Sequence, residues 1–139
     1  MPKVGMEAVR RSDLVDAAIQ EIGASGSLEV TVSAIARRAG VSPALAHHYF
    51  GSKDQIFLAA MRRILTDFGT DVRKRLDGVD NPVERVQAII AASFGPEQFD
   101  KEIVAAWLAF YVLAQKSTEA ARLLRIYARR LDSNLVFNL

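Results

Sequence analysis

Apolar residues recur along this chain at three- and four-residue intervals almost from end to end, and nowhere do they alternate convincingly as a strand would. From Met6 to Ala24, Val15, Ala18, Ile19 and Ile22 share one face, while Arg10, Asp13, Asp16, Gln20 and Glu21 lie mostly on the other. That predicts a long first helix, with Gly23 and Gly26 bracketing its end and Met1 to Gly5 as a loose arm carrying Lys3.

The next segment, Thr31 to Lys53, reads as two short helices and a tight turn. Val32, Ile35, Ala36 and Ala39 form a buried stripe behind a Thr31 cap, and Gly40 ends the helix. Val41 fits the angle between the helices, Ser42 caps the second, and Pro43 takes its first position, where a missing N–H costs nothing. On this second helix, Ala46, Tyr49 and Phe50 pack inward and Ala44, His47 and His48 face out. A short helix with small and polar groups outside fits a major groove about 12 Å wide. A plain αα-hairpin within a bundle carries the same pattern.

Beyond Phe50, Ser52 and Gln55 have capping-box spacing, which starts a helix at Lys53. Phe57, Met61, Ile64, Phe68 and Val72 carry it to Leu76, a rod of roughly 36 Å that joins the head to the rest of the chain. Asp77 to Asn81 is the clearest boundary, and Asn81 with Pro82 caps and starts the next helix, whose apolar side is Val83, Val86, Ile89, Ile90 and Phe94 before Gly95 and Pro96. From Lys101 to Lys116, apolar residues go all round, as in a helix buried in a bundle. The last helix starts near Thr118, with Leu124, Tyr127, Leu131 and Leu135 inward and Arg122, Arg125 and Arg129 outward, and its pattern is still running at Leu139. The expectation is an all-α fold: a three-helix head over 1–52, then a helical regulatory part over 53–139 that is incomplete at its C-terminal end.

Composition narrows the partners. The net charge of this 139-residue chain is only +2, and residues 1–50 balance five Lys/Arg against five Asp/Glu, so DNA binding has to rest on locally placed charge. Cysteine is absent, which excludes disulfides and thiolate metal sites and suits a reducing cytosol. The longest apolar run, Ile103 to Ala114, is too short to span a bilayer, and no signal peptide is visible, so a cytoplasmic protein is expected. No nucleophile with a base, phosphate loop or metal-ligand spacing suggests an enzyme, a cofactor or a metal.

IARRAGVS followed by HYF, then Ser52, Lys53 and an apolar helix, resembles the TetR family of bacterial transcriptional repressors. The resemblance implies groove and phosphate contacts at Thr31, Ser33, Ser42, Pro43, Ala44, Leu45, His47, His48, Tyr49 and Lys53. Thr31, Ser42 and nearby backbone N–H groups suit phosphate oxygens, Tyr49 offers a phenol and Lys53 a point charge. His47 and His48 suit phosphates or base edges, and Ala44 and Leu45 a thymine methyl. The family's usual tyrosine is His47 here and its usual glycine is Ala44. Partial burial of Tyr49 and a solvated Lys53 are the plainer readings, and Arg37 and Arg38 are expected on a solvated face.

The segments AWLAF (106–110) and ARRLDSNLV (128–136) extend the resemblance to family members that respond to choline and repress glycine betaine synthesis. It implies a homodimer on a palindromic operator, paired through further helices of the family fold. A quaternary ammonium is best held by aromatic faces and acidic charge. That singles out Trp107, Phe110 and Tyr111, with Phe94, Phe99 and Tyr127 behind them; ordinary bundle core is the competing reading. The competing function is a truncated helical relative or adaptor that does not bind DNA by itself.

Overall fold

The computed structural model describes residues 2–95 and 100–138, and every regular element among them is an α-helix, the all-α class expected. The order is α1 (Pro2–Ser25), α2 (Val32–Ala39), α3 (Pro43–Phe50), α4 (Lys53–Leu76), α5 (Pro82–Phe94), α6 (Lys101–Lys116) and α7 (Thr118–Asn138). Side-chain caps set most of the starts by accepting N–H groups that a first turn leaves without partners. Asn81 Oδ1 accepts from Val83 and Glu84 at 2.9 and 3.3 Å, Asp100 Oδ1 from Glu102 at 2.9 Å, and Ser117 Oγ from Ala120 at 3.2 Å. Gly26, at φ 67°, ends α1 and donates to the Ile22 carbonyl at 2.8 Å.

Two expectations about α1 need correction. Pro2 to Gly5 continue the helix instead of forming an arm, since proline is well placed in a first turn and Gly5 meets no packing constraint; Met1 lies outside the described residues. Gly23 does not terminate the helix. It is buried against α6, where a Cβ would stand 2.7 Å from Glu102 Cβ and 2.9 Å from Glu102 Cα. Glycine there lets two backbones approach, so its role comes from packing and not from chain reversal.

The main core joins both halves of the chain. Leu14, Ala17, Ala18 and Ile22 of α1, Ile35 and Ala36 of α2 and Ala46 of α3 belong to one cluster with Ile56, Met61 and Leu65 of α4, Ala106, Phe110 and Leu113 of α6 and Ala120 of α7. The rod α4 is thus the central pillar: α1, α3, α5 and α7 all pack on it, and Ile56 and Leu58 are buried besides the residues its single-face pattern singled out. A smaller cluster, Val72, Leu76, Ile89 and Ala92 with Leu131 and Leu135, ties the far end of α4 to α5 and α7.

Burial on α5 and α6 is more one-sided than their apolar patterns predict. On α5 only Ile89 and Ala92 are buried, whereas Val83, Ile90 and Phe94 are exposed. On α6, Ala106, Ala109, Phe110 and Leu113 face the core, but Val104, Leu108 (62%), Tyr111 and Val112 are exposed. Pro96 and Phe99 lie outside the described residues.

Candidate nucleic-acid interface and ligand cleft

The turn between α2 and α3 is built from local hydrogen bonds. Thr31 Oγ1 accepts the Ala34 N–H at 3.0 Å, and Ser42 Oγ accepts the Leu45 N–H at 3.1 Å with Pro43 directly after it. Gly40 takes the left-handed conformation at φ 75° and donates to the Arg37 carbonyl at 3.2 Å, while Val41 donates to Ala36 at 3.0 Å. This doubly bonded C-terminus turns the chain sharply while pairing the Ala36 and Arg37 carbonyls. Val41 is half-buried against the core, in the angle between the helices.

Helix α3 is anchored by Ala46, fully buried, and by the half-buried Tyr49 and Phe50. Its outer side presents Ser42, Pro43, Ala44, His47 and His48, all exposed, with Leu45 half-exposed. The His48 and Tyr49 rings lie 5.7 Å apart at 52°, so both stand at the C-terminal end of α3. Thr31 and Ser33 are exposed at the start of α2, beside this surface in the chain. Lys53 is half-buried at the first turn of α4, its Nζ 5.5 Å from the Phe57 ring centroid, and Ser52 Oγ accepts the Gln55 N–H at 3.3 Å. All ten sequence-derived DNA candidates therefore sit on or beside the α2–turn–α3 unit.

Sequence reasoning missed what holds that unit to α1. Arg11 donates to the Tyr49 carbonyl at 2.7 Å and lies over the Phe50 ring at 4.7 Å. Arg38, exposed as expected, also pairs with Glu21 at 2.6 Å, and Arg63 of α4 pairs with Asp16 at 2.6 Å and donates to Ser12 at 3.1 Å. The signal was the spacing of Arg11, Asp16 and Glu21 on the outer side of α1, which gives no partner until the other helices are placed.

The aromatic candidates separate. Trp107 and Tyr111, ring centroids 6.3 Å apart, line a cleft of about 1130 Å³ between α4 and α7, together with Tyr127. Tyr127 shares a 3.3 Å hydrogen bond with Thr66 of α4. Phe110 is fully buried (0% exposed) and is absent from the cleft walls, so it packs as core and does not face a ligand there. Phe94 is 68% exposed on α5 and also stands outside the cleft. The walls further carry Arg73, Asp77, Arg85, Arg129 and Arg130, a basic rather than an acidic lining. Among the described residues there is no grouping of His, Asp or Glu that could hold a metal ion, and no helix is long and apolar enough to cross a membrane.

Comparison with known proteins agrees with this layout. Residues 14–60 match the family profile described as bacterial regulatory proteins, tetR family, and residues 82–139 match that of the BetI-type transcriptional repressor C-terminal region. The HTH-type transcriptional regulator BetI of Brucella anthropi is 59% identical over all 139 residues, which cover 72% of that protein. BetI of Rhizobium meliloti is 58% identical over the whole chain and 68% of its own length. A crystal structure of a candidate transcriptional regulator from Streptomyces coelicolor A3(2) superposes with a TM-score of 0.80 over 94% of this chain and 75% of that one; at 20% identity it attests the fold alone. With its capped helix pair inside the first match and α5 to α7 inside the second, the chain belongs to the TetR family of bacterial regulators, with a BetI-type C-terminal region.

Proposed function

We propose that the chain is a cytoplasmic transcriptional repressor that lays α3 in the major groove of an operator half-site, and that two copies in a full-length homodimer read a palindrome. The observation that carries this reading is the exposed, small and polar outer side of α3, held between two capped turns. In this reading such a surface enters the groove without steric conflict, and Thr31, Ser42 and Lys53 meet phosphates on either side. The overall charge of +2 gives little general attraction, so these local donors supply much of the affinity.

The regulated genes in this reading are those that make glycine betaine from choline, and choline relieves repression. Its ammonium would rest on Trp107, Tyr111 and Tyr127, where the rings offer electron-rich faces. A ligand wedged between α4 and α7 favours one arrangement of the α4 pillar over another, and α4 begins directly after the DNA-reading helix. The test is a mobility-shift titration of duplex DNA from upstream of the chain's own gene, with light scattering on the same sample. Retention that choline reverses, with a change in Trp107 fluorescence, is expected. A monomer without DNA retention would favour a helical adaptor, and retention indifferent to choline would remove choline as inducer.

A further inference from the structure

The same cleft that presents the aromatic rings of Phe68, Trp107, Tyr111 and Tyr127 also presents four guanidinium groups, Arg73, Arg85, Arg129 and Arg130, against the single carboxylate of Asp77. The ion pairs among the described residues join Arg38 to Glu21, Arg63 to Asp16 and Arg75 to Asp71, and none of them engages Arg73, Arg129 or Arg130. Arg85 donates to the Leu76 and Val79 carbonyls at 3.4 and 2.7 Å, so the cations turned to the cleft are chiefly Arg73, Arg129 and Arg130, and a ligand carrying only positive charge would meet this basic wall.

Two of these side chains lean toward the aromatic end. Arg73 Nη2 donates to Thr70 Oγ1 at 3.3 Å, back along α4, the direction in which helical side chains tilt. Thr70 lies four residues from Thr66, the partner of Tyr127, which is about 6 Å along the helix axis. Arg130, in turn, holds its guanidinium 5.3 Å above the Tyr127 ring. One face of the Tyr127 ring, in a cleft that both residues line, therefore already carries a cation from the chain itself. An arriving ammonium would displace Arg130 and leave it free to meet an anion nearby.

We propose that Arg73 and Arg130 form an anion subsite next to the aromatic rings, so that the cleft takes a zwitterion: a quaternary ammonium joined by a short linker to a phosphate, sulfate or carboxylate. This rests on the aromatic-cleft reading of the ligand site. A guanidinium that meets phosphate gains charge-assisted, often paired, hydrogen bonds that a hydroxyl group cannot offer.

The test is calorimetric titration of the full chain with choline and with phosphocholine, repeated on Arg73→Gln, together with melting curves in sodium sulfate and sodium chloride at equal ionic strength. Arg73 is exposed, so the variant is expected to fold. Phosphocholine should bind about tenfold tighter than choline, the size of one charge-assisted hydrogen bond, and Arg73→Gln should bring the ratio close to one. Equal affinities in the unaltered chain, or tighter binding of choline, would overturn the subsite. If neither ammonium compound binds but sulfate raises the melting temperature through Arg73, the subsite stands for a free anion and the choline reading falls. If sulfate has no such effect either, both are overturned.

Discussion

Arg11 donates to the carbonyl of Tyr49 at 2.7 Å while its guanidinium carbon sits over Phe50, 4.7 Å from the ring centroid. One side chain of α1 thereby meets both the carbonyl end of α3 and its apolar underside. A cation at a helix C-terminus also complements the helix dipole. Arg11 thus ties α3 to α1 without being one of the groups on the outer side of α3. Arg11→Ala is expected to weaken operator binding about tenfold, the size of one charged hydrogen bond, with the salt dependence unchanged. Binding isotherms at several salt concentrations check this; a shallower slope would mean that Arg11 itself touches a phosphate.

At Gly23, α1 and α6 approach so closely that a Cβ would stand 2.7 Å from Glu102 Cβ. Gly23→Ala places a methyl group against the Glu102 backbone, which cannot swing aside as a long side chain can. A loss of about 1–3 kcal/mol is expected from this overpacking, read in urea denaturation. Gly69→Ala is the control: no atom lies within 4 Å of its Cβ position, and α4 should gain roughly 0.5–1 kcal/mol from the better helix former.

Burial rather than charge pairing should dominate the stability of the head. Ile35 is fully buried in the main core, and Ile35→Ala is expected to cost about 2–5 kcal/mol. Glu21→Gln breaks the short Arg38 pair, but with Arg38 41% exposed the loss should be within about 1 kcal/mol, because solvent screens the attraction. Chemical denaturation of both variants tests the ordering, and a larger effect at Glu21 would contradict it.

Lys53 follows the Ser52 cap and extends over Phe57, which orients its ammonium at the entrance of α4. Lys53→Ala is expected to weaken operator binding and to reduce the salt slope by roughly 0.9, the value for one phosphate contact on duplex DNA. An unchanged slope would take Lys53 off the contact surface.

Ser42→Ala separates the structural and binding roles of the turn. Loss of the 3.1 Å bond to the Leu45 N–H should destabilise the chain by about 1 kcal/mol, while Ser42→Asp should restore the cap. If Ser42 also faces phosphate, the aspartate variant recovers its melting temperature but binds operator more weakly than the unaltered chain. Thermal melts and mobility shifts on the same preparations decide this.

The sequence by itself determined the local punctuation. Thr31, Gly40, Ser42, Ser52 and Asn81 act on groups only a few residues away, so the ends of α2 to α5 could be read from residue type and spacing. The outward side of α3 was legible for the same reason, since helical period alone separates Ala46 from His47 and His48. Only the tertiary structure decided which partner each face meets. Gly23 looked like a helix end until α6 was laid across it, Arg38 read as solvated charge until Glu21 of α1 stood beside it, and nothing in the periodicity tied Arg11 to α3 or Arg63 to α1. On α6 every side is apolar, so periodicity could not tell that Phe110 enters the core, Trp107 and Tyr111 face the cleft, and Leu108 stays exposed. A cap is closed by the nearest few residues, whereas burial depends on which distant helix arrives, and that information is not local.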